Sequence, residues 1–141
     1  MYGIGRLSSL ANVKIPTIRY YEEINILPEA ERSSGGQRRY RQSDLERLNF
    51  IRHARDLGLG IEDIRDLLRL SENGENPCVD ADRIAAQHLS RIKDKIKHLR
   101  RLEKELKRIV SHCQSETIGD CYVIQSLANH ALCGDEHKEG L

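Results

Sequence analysis

The sequence has no tryptophan, one phenylalanine and five tyrosines in 141 residues, which excludes a large aromatic core. It has no apolar run near the ~18 residues needed to cross a bilayer. No basic n-region followed by an apolar h-region opens the chain, so a cytoplasmic protein is expected rather than a secreted or membrane-spanning one. There is no glycine-rich phosphate loop, no carboxylate pair in a plausible cleft and no nucleophile–base pairing, so an enzyme is not expected. The net charge is only +1. What is present is Leu, Ile and Ala among many charges, 38% hydrophobic and 32% charged, a composition that helical and coiled-coil proteins share. Four cysteines without a secretory leader read as thiols suited to metal or redox chemistry rather than structural disulfides.

The near-neutral total hides a local excess. From Arg32 to Arg55 there are seven arginines against Asp44 and Glu46, a cluster able to bind phosphates. Upstream of it, Ile4, Leu7, Leu10 and Ala11 share one helical face. A turn through Asn12 to Ile15 leads to Pro16, whose missing N–H suits the first position of a second helix running to Glu23. Two short helices joined by a tight turn form a helix-turn-helix candidate. ERSSGGQRRY then places Gly35-Gly36 between two short polar segments, a basic hairpin and hence a wing. Ser43 with Glu46 spells a capping box for a third helix carrying Leu45, Leu48 and Ile51. Gly58 and Gly60 break that helix, and a fourth, about 61–70, aligns Ile61, Ile64, Leu67 and Leu68.

After the polar linker SENGENP the period changes. Ala85, Leu89, Ile92, Ile96, Leu99, Leu106, Val110 and Cys113 follow alternating three- and four-residue steps, with Glu103 at the skipped position and Leu102 beside it. Four heptads of this kind predict a coiled-coil helix with a partner, because a lone helix would leave the stripe wet. The expected organisation is therefore mainly α. It comprises a winged helix-turn-helix domain (1–70), a hinge (71–80), a dimerisation helix (81–115), and a loop with a C-terminal segment (116–141) that ends in a frayed polar tail.

IGRLSSLANV, PTIRYYEEINILP, GGQRRY and DLERLNFIRHARDLGLGIEDIRDLL, in that order and together with the cysteine spacing, resemble the MerR family of bacterial transcriptional regulators. The resemblance covers essentially the whole chain. It implies an antiparallel coiled-coil homodimer on double-stranded promoter DNA, shared with RNA polymerase, that activates by distorting the DNA. Lys14, Thr17, Arg19 and Tyr20 around the second helix, and Arg38, Arg39 and Tyr40 in the wing, are the expected DNA-binding residues. Arginine grips phosphate or guanine, and a tyrosine hydroxyl can donate to phosphate. Helix-face spacing assigns Tyr21, three residues after Ile18, to the core and Tyr20 to the outside.

For an effector site, Cys113 and Cys121 are close in sequence. A helix between Cys78 and Cys113 at ~1.5 Å per residue would hold those two ~50 Å apart. In an antiparallel pair, Cys78 of one protomer meets Cys113 and Cys121 of its mate. Three thiolates suit Zn, Cd, Pb or Hg as effector, and His112, Cys133 or His137 could complete a tetrahedral Zn site. By resemblance, a cysteine at position 78 marks the divalent-metal branch of the family. The seven-residue spacer between Cys113 and Cys121 resembles the Cu(I)/Ag(I) branch instead. A metal-responsive regulator of a resistance or efflux promoter is the expected function. A Cu(I)/Ag(I) regulator, a thiol redox sensor and a metal carrier are the alternatives.

Overall fold

The computed structural model describes residues 1–112 and 116–129. Cys113, Cys133, His137 and the polar tail lie outside them. The chain divides into two compact units, Met1–Ala81 and Asp82–Leu141.

In the first unit, α1 (Ile4–Ala11) ends at Asn12 in the left-handed conformation, φ 54°, a backbone state that asparagine tolerates better than most residues. The turn is short, and Ser8 Oγ donates to Val13 O across it at 2.6 Å. α2 (Ile15–Glu23) follows with proline in its first turn. The wing is two strands, β1 (Glu31–Arg32) and β2 (Arg38–Arg39), paired antiparallel with Glu31 opposite Arg39 and Arg32 opposite Arg38. Gly36, at φ 81°, supplies the positive dihedral of the turn. α3 (Gln42–Asp56) and α4 (Ile61–Ser71) are separated by Gly58, at φ 83°.

The core of this unit is the set of inward faces. Leu7, Ile18, Ile26, Leu48, Ile51 and Ile64 have no exposed surface, and Ala11, Leu27 and Leu68 almost none. Each full burial of such an aliphatic side chain is worth about 1.5–3 kcal/mol, which is what orders helices this short. Two local expectations are corrected. Leu10 is 44% exposed, since Leu7 and Ala11 alone complete the inner stripe of α1. The cap of α3 falls before Ser43: the Asp44 carboxylate accepts from the Arg41 backbone N–H at 2.8 Å, so a reaching-back carboxylate at an earlier register starts the helix.

The second unit is carried by α5 (Val79–Ser111), 33 residues long. A 3₁₀ turn (Ile118–Asp120) and α6 (Tyr122–Ala128) come after it. The heptad stripe lies on the surface: Leu89 is 53% exposed, Leu99 51%, Leu106 59% and Val110 66%. Among the described residues no helix is long and apolar enough to cross a membrane.

Candidate nucleic-acid interface and thiol-bearing segment

Ile18 and Tyr21 anchor α2 in the core, so the intervening positions turn outward. Arg19 is exposed, Tyr20 is 49% exposed, and Tyr21 retains 7%. Lys14 is exposed at the N-cap of α2 and Thr17 is half-buried. The two wing arginines have different surroundings. Arg38 joins Arg19, Glu22, Glu29 and Arg32 around a cleft of about 380 Å³ between α2 and the wing. Arg39 instead lies beside Gly3, with Nη2 3.5 Å from Gln37 Oε1. Arg19 and Arg38 are thus brought together on one cleft, where two guanidinium groups can grip a phosphate backbone.

Tyr40 corrects the sequence reading. Expected among the DNA-binding residues of the wing, it is completely buried. Its hydroxyl donates to Glu22 Oε1 at 2.9 Å, and that partner is what allows a phenol to be buried whole. Burial, reinforced by the neighbouring Glu22 carboxylate, holds the Tyr40 phenol well above the ordinary tyrosine range. Glu22 also accepts from the Ala30 N–H at 3.1 Å. Sequence reasoning missed Glu22; its one signal was a position next to the buried Tyr21 and four after Ile18, at the edge of the inner face.

The arginine cluster is also less available than its count suggests. Arg47 Nε donates to Ile26 O at 2.7 Å, Arg55 Nη1 to Leu59 O at 3.2 Å, and Arg41 pairs with Glu31. Beyond the cluster, Arg65 Nη2 donates to Ile24 O at 2.9 Å. Arg47 and Arg65 therefore bind the carbonyls just past the end of α2, where helices leave acceptors unsatisfied. Both are internal struts to α2.

In the second unit, Arg108 organises the segment around α6. It donates to Glu105 at 2.6 and 3.2 Å and to the Tyr122 hydroxyl at 2.6 Å. The Glu105 carboxylate, 8% exposed, holds the guanidinium above its ordinary range. The His112 ring stacks on Tyr122 with centroids 4.9 Å apart. His112 Nδ1 lies 2.7 Å from Arg108 O. A carbonyl only accepts, so Nδ1 is the donor in this contact and Nε2 is the ring nitrogen left for any further partner. Cys121, half-buried, immediately precedes α6, and Cys78, exposed, immediately precedes α5. Among the described residues no three His, Cys, Asp or Glu side chains of one chain are placed to hold an ion.

Comparison with known proteins fits this architecture. Residues 2–71 match the family described as "MerR HTH family regulatory protein" and residues 45–109 the one described as "MerR, DNA binding". The HTH-type transcriptional regulator ZntR of Escherichia coli K12 is 40% identical over 80% of this chain and 81% of its own. Heavy metal-dependent transcription regulator 2 of Rhizobium meliloti is 33% identical over 89% of this chain and 86% of its own. The crystal structure of the transcription regulator PbrR691 from Ralstonia metallidurans CH34 in complex with lead(II) is similar with a TM-score of 0.79 and 35% identity, covering 90% of this chain and 99% of that one. A helix-turn-helix, a two-stranded wing and a long helix with a wet heptad stripe, together with these matches, establish that the chain belongs to the MerR family of DNA-binding transcriptional regulators.

Proposed function

We propose that this regulator senses a soft divalent metal ion and activates a metal efflux or resistance promoter. The observation that carries the reading is the layout of α5. Its exposed apolar stripe requires a partner helix, and its 33 residues, ~50 Å of helix, lie in the sequence between Cys78 and the cysteines at positions 113 and 121. An antiparallel homodimer satisfies both facts at once, since it buries the stripe and brings Cys78 of one protomer to Cys113 and Cys121 of the other. Such a site holds Zn, Cd, Pb or Hg in thiolate coordination. His112, through Nε2, or Cys133 or His137 supplies a fourth ligand where a tetrahedral ion needs one. The heavy-metal dependence in the name of one relative and the lead(II) bound to another support a metal effector.

DNA contact falls to Arg19 and Arg38 on the shared cleft, with Tyr20, Lys14, Thr17 and Arg39 around it. The metal-bound dimer holds the two DNA-binding domains so that the promoter is distorted and RNA polymerase finds its elements aligned. A ligand shifts this equilibrium only by its differential affinity for the two states. Activation by distortion rather than by recruitment to DNA is expected to leave operator affinity similar with and without metal while transcription changes. The test is a competitive metal titration of the reduced dimer, read by in vitro transcription, for wild type and Cys78→Ser. Loss of the response to Zn, Cd, Pb and Hg together in Cys78→Ser is expected. A strong wild-type response to Cu(I) that survives Cys78→Ser would overturn the divalent reading, and metal that merely releases the protein from DNA would overturn the distortion mechanism.

A further inference from the structure

The wing has two ladder pairs, and an isolated two-stranded hairpin of that size does not hold itself in place in water. Something must root it. Both of its feet reach the same atom: Ala30, immediately before β1, donates its N–H to Glu22 Oε1 at 3.1 Å, and Tyr40, immediately after β2, donates its hydroxyl to the same oxygen at 2.9 Å. Tyr40 is secured on its other side by paired backbone hydrogen bonds with Tyr2, both 2.8 Å. Glu22 itself is fixed because it lies in the last turn of α2, whose following carbonyls are held by Arg47 and Arg65.

We propose that Glu22 is a positioning residue for DNA binding, a single carboxylate that ties both feet of the wing to the recognition helix α2 and so sets the spacing between Arg19 and Arg38 across their cleft. The reason for a carboxylate is geometric. One oxygen with two lone pairs takes an N–H from one foot and an O–H from the other, and hydrogen bonds to an ionised acceptor are the stronger kind. The reason for its location is functional. A wing that swings free still carries its arginines but no longer presents Arg38 at a fixed distance from Arg19, so the two can no longer grip the phosphate backbone in concert. The inference rests on the reading that α2 and the wing both touch DNA.

The experiment measures operator affinity of the intact protein as a function of salt, with thermal melting as a parallel readout. Arg19→Ala and Arg38→Ala test the underlying reading: each weakens binding and flattens the salt dependence, whose slope falls by about 0.9 for each phosphate left without its cation. If neither does, the assignment of the interface fails. Given that both do, Glu22→Ala is expected to lose about tenfold or more in affinity with a slope reduced by about one to two. Glu22→Gln, which keeps the accepting oxygen, is expected to retain slope and most of the affinity. Tyr40→Phe frees one foot, reproduces part of the loss, and adds nothing to Glu22→Ala in the double variant. The proposal is overturned if Glu22→Ala lowers the melting temperature while slope and affinity stay at wild-type values. It is equally overturned if Glu22→Ala and Glu22→Gln both bind DNA more tightly, for then Glu22 acts only as a negative charge opposing Arg19 and Arg38.

Discussion

Tyr40 shows how one buried hydroxyl becomes measurable. Its phenol is held protonated by burial and by the Glu22 carboxylate, whereas in the unfolded chain it ionises at about pH 10. The folded state therefore binds this proton more tightly. Its contribution to stability is constant below about pH 10 and is lost as pH rises above that. Of the five tyrosines, Tyr40 is expected to form tyrosinate only as the protein unfolds in alkali. Spectrophotometric titration should show a late fraction that coincides with loss of helix signal and disappears in Tyr40→Phe. A titration in which all five ionise together before unfolding would contradict the buried hydrogen bond from Tyr40 to Glu22. Arg47 makes the complementary case. Because its Nε is committed to Ile26 O, Arg47→Ala is expected to cost about 1.5–3 kcal/mol of stability in urea unfolding and to leave the salt slope of operator binding unchanged. A phosphate-binding arginine would behave the opposite way. The arginine excess was legible in the sequence; its division into internal struts and cleft-lining side chains was not, because the two differ only in which carbonyl lies within reach.

At the scale of elements, legibility followed the strength of the period. The 3.5-residue stripe of α5 spans several heptads, and its exposure at Leu89, Leu99, Leu106 and Val110 matches the seam predicted from spacing alone. The helix-turn-helix was readable from Pro16 and the face of Ile18 and Tyr21. The wing was readable from its glycine turn, but not the inward turn of Tyr40, because a two-residue strand offers no alternation to count. The cap of α3 was misplaced by two residues, since Asp44 and Glu46 can each be the carboxylate that reaches back from the third position, and the helix is capped at Arg41, three residues before Asp44. The wet stripe leads to its own prediction. These four side chains are already partly covered, so burying the remainder recovers about half of the 1.5–3 kcal/mol of a full burial for each, and melting should rise with protein concentration across about a hundredfold range. Leu99→Lys, which places a charge in the middle of the seam, should yield monomer by sedimentation and abolish that dependence. A wild-type melting temperature independent of concentration would exclude a dissociable dimer built on α5.

For the whole molecule, the proposed metal site turns on which polypeptide supplies which thiolate. A site assembled within one protomer and a site shared between two predict the same result for every homodimeric cysteine variant, because each variant removes a ligand from both ends. Mixed dimers separate them. On the proposed site, Cys78→Ser removes the expected ligand before α5 in both protomers, and the double variant Cys113→Ser/Cys121→Ser removes the expected pair that follows it in sequence, so neither homodimer should bind metal tightly. Combined in one dimer, the Cys78→Ser protomer still offers Cys113 and Cys121, and the other still offers Cys78. If the site is shared, one of the two ends is rebuilt in full and the other has no ligand of the set. Affinity-purified mixed dimers should then take up one ion per dimer, against two for wild type, with thiolate-to-metal charge-transfer absorption of wild-type shape at half the intensity. If each protomer builds its own site, the mixture recovers nothing. Rescue by mixing thus tests the antiparallel arrangement through chemistry alone, and it does so whatever the identity of the ion, because every candidate from Zn to Hg requires the same thiolates to converge.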